Sequence, residues 1–219
     1  ANPTSAIVGD TITLSHTLDD GYAFDRYFTT PDVQWIDGNR FIMPDEDVTI
    51  RWTLMYAHTI PFFEGFEEDN IQGTDIVGWW QESEFGTKNW QANSTETSKN
   101  RQPYAGQWNA TLVYNNTDWL FTKITLEAGK EYRLSLYARQ YATSSGAYLQ
   151  AGIGSTAIND SMKVAIIPSS PVKSGAYQLF TGTFTVPENG AYALGIQGRG
   201  ASSNHLSIDD IRLTENVPH

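Results

Sequence analysis

Leu206-Ser207-Ile208-Asp209-Asp210-Ile211-Arg212-Leu213 is the stretch on which the fold turns. Side chains in a strand alternate between faces, so Leu206 and Ile208 share one face while Ile211 and Leu213 share the other. The apolar parity slips at Asp209-Asp210. A one-residue bulge at that step lets all four aliphatic residues meet one core, and it re-aims a carboxylate. A buried carboxylate without a partner is costly. A second acid-rich apolar stretch lies far upstream, Phe62-Phe63-Glu64-Gly65-Phe66-Glu67-Glu68-Asp69, and a cation between the two would relieve that cost. The resulting expectation is a β domain whose first and last strands are stapled by a metal.

Between those two stretches the chain runs as short apolar-alternating segments separated by Gly, Pro, Asn and Ser clusters, with little helical periodicity. The strands predicted are Trp119–Leu126, Tyr132–Arg139, Ala147–Ile153, Met162–Ile167, Tyr177–Val186 and Tyr192–Gln197. The first two are expected to form a hairpin through Glu127-Ala128-Gly129-Lys130. An all-β sandwich follows. Upstream, Gly9–His16, Ala23–Thr29 and Asp47–Trp52 read as further strands, with turns at Asp20-Gly21 and Pro44-Asp45 and a joint at Ala57–Pro61. Two domains are therefore expected, a small one over residues 1–57 and a main one over 62–215.

The balance of 14 Lys and Arg against 25 Asp and Glu leaves a formal net charge of -11. Such a chain repels the phosphate backbone, so nucleic acid is not an expected partner. No run of about 18 apolar residues exists, so no membrane insertion is expected. The start at Ala1-Asn2-Pro3 reads as a mature or trimmed end. With no cysteine, disulfides, thiolate nucleophiles and zinc–thiolate sites are excluded. The excess of carboxylates suits calcium, a hard cation that takes oxygen ligands. Catalytic patterns are weak: Gly195-x-x-Gly198-x-Gly200 precedes no helix, and Glu82 with Glu84 reads as a solvated strand face before it reads as a glycosidase pair.

Two sets of motifs carry resemblances. Gly9-Asp10-Thr11-Ile12-Thr13-Leu14, Gly21-Tyr22, Phe41-x-Met43-Pro44 and Asp47-Val48-Thr49-Ile50 resemble the small secreted bacterial repeat domain of Bacteroidetes surface proteins, which implies a spacer module; an extra hairpin on the main domain is the alternative. Phe66-Glu67, Gly78-Trp79, Gly129-Lys130-x-Tyr132-x-Leu134-Ser135, Phe184-Thr185-Val186-Pro187 and Leu206-x-Ile208-Asp209-Asp210-Ile211 recur in the order of the cleaved-adhesin and MAM-like jelly-roll domains. That resemblance implies an extracellular jelly-roll β-sandwich used for adhesion or glycan binding. It also implies a structural calcium ion, carried onto Glu67, Asp209 and Asp210; calcium takes about six to eight oxygens, so Glu64, Asp69 or backbone carbonyls would complete the set. The alternative for the acids is that Asp209 hydrogen-bonds backbone N–H groups while Asp210 faces solvent.

Sugar recognition calls for aromatic faces beside hydrogen-bonding side chains. Trp79, Trp80 and Trp119 read as packing residues. Trp90 and Trp108 lie in a polar stretch with Arg101 and Tyr104, and these four are the expected ligand-binding set, with loop anchoring as the alternative. The expectation is a monomeric, non-catalytic adhesion module, secreted or anchored at the outer-membrane surface, that binds a glycan or a host or extracellular protein. A structural spacer, or an accessory domain of a secreted protease or glycoside hydrolase, is the other reading.

Overall fold

A computed structural model describes residues 5–141, 146–200 and 203–217. The chain divides into two units, Ala1–Tyr56 and Ala57–His219. The first contains β1 (Thr11–Thr13), β2 (Tyr22–Thr30), β3 (Gln34–Trp35), β4 (Arg40–Ile42) and most of β5 (Thr49–His58). β1, β4 and β3 make a three-stranded sheet, and β2 pairs with β5 antiparallel. Its small core is Ile12, Leu14 and Phe41, with Tyr27, Trp35 and Met43 packed around them.

The second unit contains β6 (Phe62–Glu64), β7 (Trp80–Phe85), β8 (Gln91–Asn93), β9 (Asn109–Leu112), β10 (Asn116–Leu126) and β11 (Glu131–Gln140). It continues with β12 (Ala147–Gly154), β13 (Val164–Val172), β14 (Gln178–Thr185), β15 (Gly190–Gly200) and β16 (Leu206–Glu215). One sheet runs β13-β12-β15-β10, with β7 also on β10. The other runs β14-β11-β16-β9-β8, with β6 also on β16. The two form a β-sandwich. Leu120, Ile124, Leu194 and Ile196 from one sheet and Leu134, Leu136, Ile208 and Leu213 from the other share a single buried core.

The parity slip of the last strand is a bulge. Tyr137 pairs with Asp209 and Ser135 with Arg212, so three residue steps of β16 oppose two of β11. Asp210 takes a left-handed φ of 48°, a conformation that Asp tolerates better than most residues. Leu206, Ile208, Ile211 and Leu213 are consequently all fully buried. Without the extra residue, Ile211 and Leu213 would face outward, each forfeiting about 1.5–3 kcal/mol of burial. β6 pairs with the same strand, Glu64 opposite Ile211 and Phe62 opposite Leu213, so the first strand of this unit meets the last through a backbone ladder.

Three expectations are corrected. The segments Trp119–Leu126 and Tyr132–Arg139 do not form a hairpin: β10 pairs with β15, β5 and β7, whereas β11 pairs with β14 and β16. The connection through Gly129 (φ 81°) passes from one sheet to the other, because both strands direct a leucine-rich face into the shared core. The polar stretch after Trp79 is not a long loop but carries β7, β8 and β9. Trp80 does not pack inward; it is 41% exposed on β7. Among the described residues no helix is long and apolar enough to cross a membrane.

Candidate functional site

β11 alternates strictly. Tyr132, Leu134, Leu136 and Ala138 point into the core, leaving Arg133, Ser135, Tyr137 and Arg139 on the outer face of the sheet. Register places Thr183 and Thr214 on either side of Arg133, Thr181 and Arg212 on either side of Ser135, and Leu179 and Asp209 on either side of Tyr137. The outer face therefore carries hydroxyls, three arginines and a tyrosine.

The segment between β8 and β9 is fastened over one end of this face. Asp209 Oδ2 accepts the N–H groups of Tyr104 (2.8 Å) and Ala105 (3.2 Å), and its Oδ1 accepts that of Asp210 (2.7 Å). Glu67 Oε1 accepts from Gln107 N (2.9 Å) and Trp108 N (3.0 Å). Gly106, between the two anchor points, has φ 62°, and a Cβ there would collide with Glu67 Oε1. Arg139 donates to the carbonyl and the side chain of Gln102, and the Tyr177 hydroxyl donates to the same carbonyl at 3.0 Å. These bonds set Tyr104 on Tyr137, ring centroids 3.8 Å apart and nearly parallel, with Tyr177 edge-on at 5.3 Å.

The outcome is a cleft of about 290 Å³ lined by Tyr104, Arg133, Ser135, Tyr137, Leu179, Asp210 and Arg212, near the lower end of the size range of ligand sites. Tyr104 stays 44% exposed on it. Burial pushes the Asp209 carboxyl up to about 7, held back by the N–H groups of Ala105, Asp210 and Tyr104. The Tyr104 hydroxyl is shifted upward by its bond with Tyr137.

Of the four residues expected to bind ligand, Tyr104 alone faces this cleft. Trp90 is corrected: it is 0% exposed, with its backbone N–H on Asp118 Oδ2 (2.7 Å) and its indole N–H on the Asp118 carbonyl (2.9 Å). Its polar sequence neighbours form an internal network, in which Asn93 and Asn109 both donate to the Arg101 carbonyl. Trp108 is half-buried against the main core. Arg101 is ion-paired with Glu96 at 2.5 Å. Sequence reasoning missed Tyr137, Arg133 and Arg212, although the outward positions of β11 could have been read from its alternation.

The four acids assigned to calcium are close to the bulge but do not make a shell by themselves. Glu64 accepts from Phe66 N (2.6 Å) and the Trp79 indole (3.0 Å), and Asp210 Oδ2 faces Arg212 at 3.4 Å. Among the described residues no three or more His, Cys, Asp or Glu side chains gather as a metal-holding group. Calcium takes about six to eight oxygens, so an ion here would draw most of them from backbone carbonyls and water. Glu82 and Glu84 are likewise engaged: Glu82 accepts Asn159 N, and Glu84 accepts the Trp119 indole and the Gln197 amide.

No family model matches the chain, and no curated protein matches it in sequence. Solved structures do match in fold. The K2 cleaved adhesin domain of Lys-gingipain is 16% identical, covers 71% of this chain and 98% of its own, and gives a TM-score of 0.53. The K1 cleaved adhesin domain of Lys-gingipain from Porphyromonas gingivalis W83 is 12% identical over 71% of this chain and 98% of its own, with a TM-score of 0.50. TmCBM61, solved in complex with beta-1,4-galactotriose, is 13% identical over 70% and 99%, with a TM-score of 0.51. The sandwich is thus of the kind shared by cleaved-adhesin domains and carbohydrate-binding modules.

Proposed function

We propose that this chain is a non-catalytic binding module whose ligand is a glycan lying across the outer face of the β14-β11-β16 sheet. The observation that supports this most directly is the Tyr104–Tyr137 stack, part-exposed beside Arg133, Ser135, Asp210 and Arg212 in one cleft. An aromatic platform offers apolar area to a sugar ring, and the flanking side chains supply donors and acceptors to its hydroxyls. Likeness to an adhesin domain and to a carbohydrate-binding module in fold agrees with the same reading. A glycan array followed by calorimetry tests it. Binding that disappears in Tyr137→Ala and survives Trp108→Ala supports the cleft, whereas the absence of any glycan ligand returns the chain to a spacer role.

The wider assignment belongs with this proposal: a secreted or surface-anchored adhesion protein, a monomer, with residues 1–57 as a spacer repeat. Calcium is a further proposal. Glu64 and the Asp209–Asp210 pair lie on adjacent strands, and Glu67 is fastened to the same segment as Asp209. An ion there would neutralise carboxylates that burial makes costly. Calcium added to chelator-treated protein is expected to raise the melting temperature by several degrees, and an unchanged transition removes the ion from the account.

A further inference from the structure

Resting on the glycan reading, we propose that the ligand of this cleft is an acidic polysaccharide whose sugar rings carry carboxylates. The charge arrangement favours it. In a chain with a net charge of -11, the cleft wall nevertheless holds two guanidinium groups, Arg133 and Arg212, against one carboxylate, Asp210. Arg133 has no carboxylate partner among the described residues, and threonines flank it on both neighbouring strands. Arg212 meets Asp210 only at 3.4 Å, and its side chain is 59% exposed, a geometry worth little as an ion pair. Both arginines are therefore available to an incoming anion. Distant acids do not cancel them, because charges beyond about 8 Å are largely screened at physiological ionic strength.

Arg212 also extends the site. Its guanidinium lies 4.9 Å over the ring of Phe63 and forms part of a second cleft of about 320 Å³ with Pro61, Phe62, Phe63 and Thr214. One arginine thus joins two adjacent hollows, each with an aromatic ring. From β14 to β6 this lane crosses three strand spacings, about 14 Å, which suits an extended chain better than a single ring. Planar guanidinium forks match carboxylates in a two-bond geometry. A neutral glycan would leave both charges unused.

The test uses the full chain and isothermal calorimetry with three oligosaccharides of equal length: an oligogalacturonate, a neutral galactan and a sulfated galactan, each at low and high salt. The oligogalacturonate is expected to bind about tenfold tighter than the neutral chain, a difference that shrinks with salt. Arg133→Gln and Arg212→Gln are each expected to weaken it about tenfold without moving the melting temperature. Equal or tighter binding of the neutral chain, unaffected by either substitution, overturns the acidic-ligand proposal and leaves the glycan reading standing. Equal binding of the sulfated chain overturns the commitment to carboxylates. Failure of all three to bind also overturns the acidic-ligand proposal, while the glycan reading falls only if the array shows no glycan ligand at all.

Discussion

Both outer faces of the sandwich carry a pair of stacked aromatic rings, and the two pairs have opposite fates. On the β10 face, Trp119 and Phe121 stack at 5.4 Å and are almost wholly buried. The turn after β12 covers them: Met162 approaches Gly195 and Gly152, and Lys123 reaches across to donate to the Ser155 carbonyl at 2.5 Å. On the β11 face, Tyr104 and Tyr137 stack at 3.8 Å, but the covering segment supplies one of the rings itself and stops short of the cleft. Aromatic pairing alone therefore does not mark a binding face. What distinguishes the two is whether the roof is completed.

The largest effect is expected from Trp119→Ala. Removing a buried ring costs about 3–5 kcal/mol, on the order of 10 °C in melting temperature, while the protein that remains folded keeps its glycan affinity. A loss of affinity out of proportion to unfolding, measured by calorimetry below the transition, would erase the contrast between the faces.

Asp209→Ala comes next. It removes the acceptor of the Tyr104, Ala105 and Asp210 N–H groups; water reaches the exposed Tyr104–Ala105 segment, so the loss is about 1–3 kcal/mol, set by the one buried donor. The segment carrying Tyr104 should detach, so hydrogen exchange at residues 102–108 is expected to accelerate before that of the core strands. Uniform acceleration would show that the segment is not held from this point.

Tyr104→Ala should cost only about 1 kcal/mol of stability, the value of an exposed aromatic pair, yet remove most of the binding. Equal losses in stability and affinity would make Tyr104 a packing residue like Trp119.

The smallest effect concerns acid. His205 is buried, neither ring nitrogen has a hydrogen-bond partner among the described residues, and burial pushes its pKa down to about 4. The folded protein therefore binds this proton less readily than the unfolded chain, whose histidine titrates near 6.5. Stability from this group is complete above about pH 6.5 and declines as pH falls towards 4. The melting-temperature difference between His205→Leu and the parent is expected to be constant above about pH 6.5 and to widen as pH falls towards 4. Parallel curves would mean that the ring is hydrated in the native state.

The closing strand was legible in the sequence because a parity slip has one cheap remedy, and Leu206, Ile208, Ile211 and Leu213 all face the core as that remedy requires. The partner of β10 was not legible. A short Gly-containing connection fits a hairpin and a crossing between sheets equally well, and the choice rests on which faces meet across the core. Trp90 misled for a related reason. Its Asn and Gln neighbours look solvated in one dimension, but Gln81, Asn93 and Asn109 spend their amides on buried carbonyls and carboxylates. Glu67 and Asp209 were assigned to a metal, and the N–H groups that they accept come from a segment whose turn at Gly106 could not be foreseen. Tyr137 needed only the alternation of β11 to be placed outward, but its companion Tyr104 arrives from a distant part of the chain.

The pairing of β6 with β16 has a mechanical consequence. The two strands run antiparallel, Phe62 opposite Leu213 and Glu64 opposite Ile211, so the start of β6 and the Leu213 end of the contact lie at the same end of a three-rung ladder. Tension applied along the chain pulls those rungs apart one after another instead of shearing them together. Load that reaches β6 through Phe62 would therefore peel it from β16 rung by rung, opening the Phe63–Arg212 contact while the sheet that carries Tyr137 stays intact.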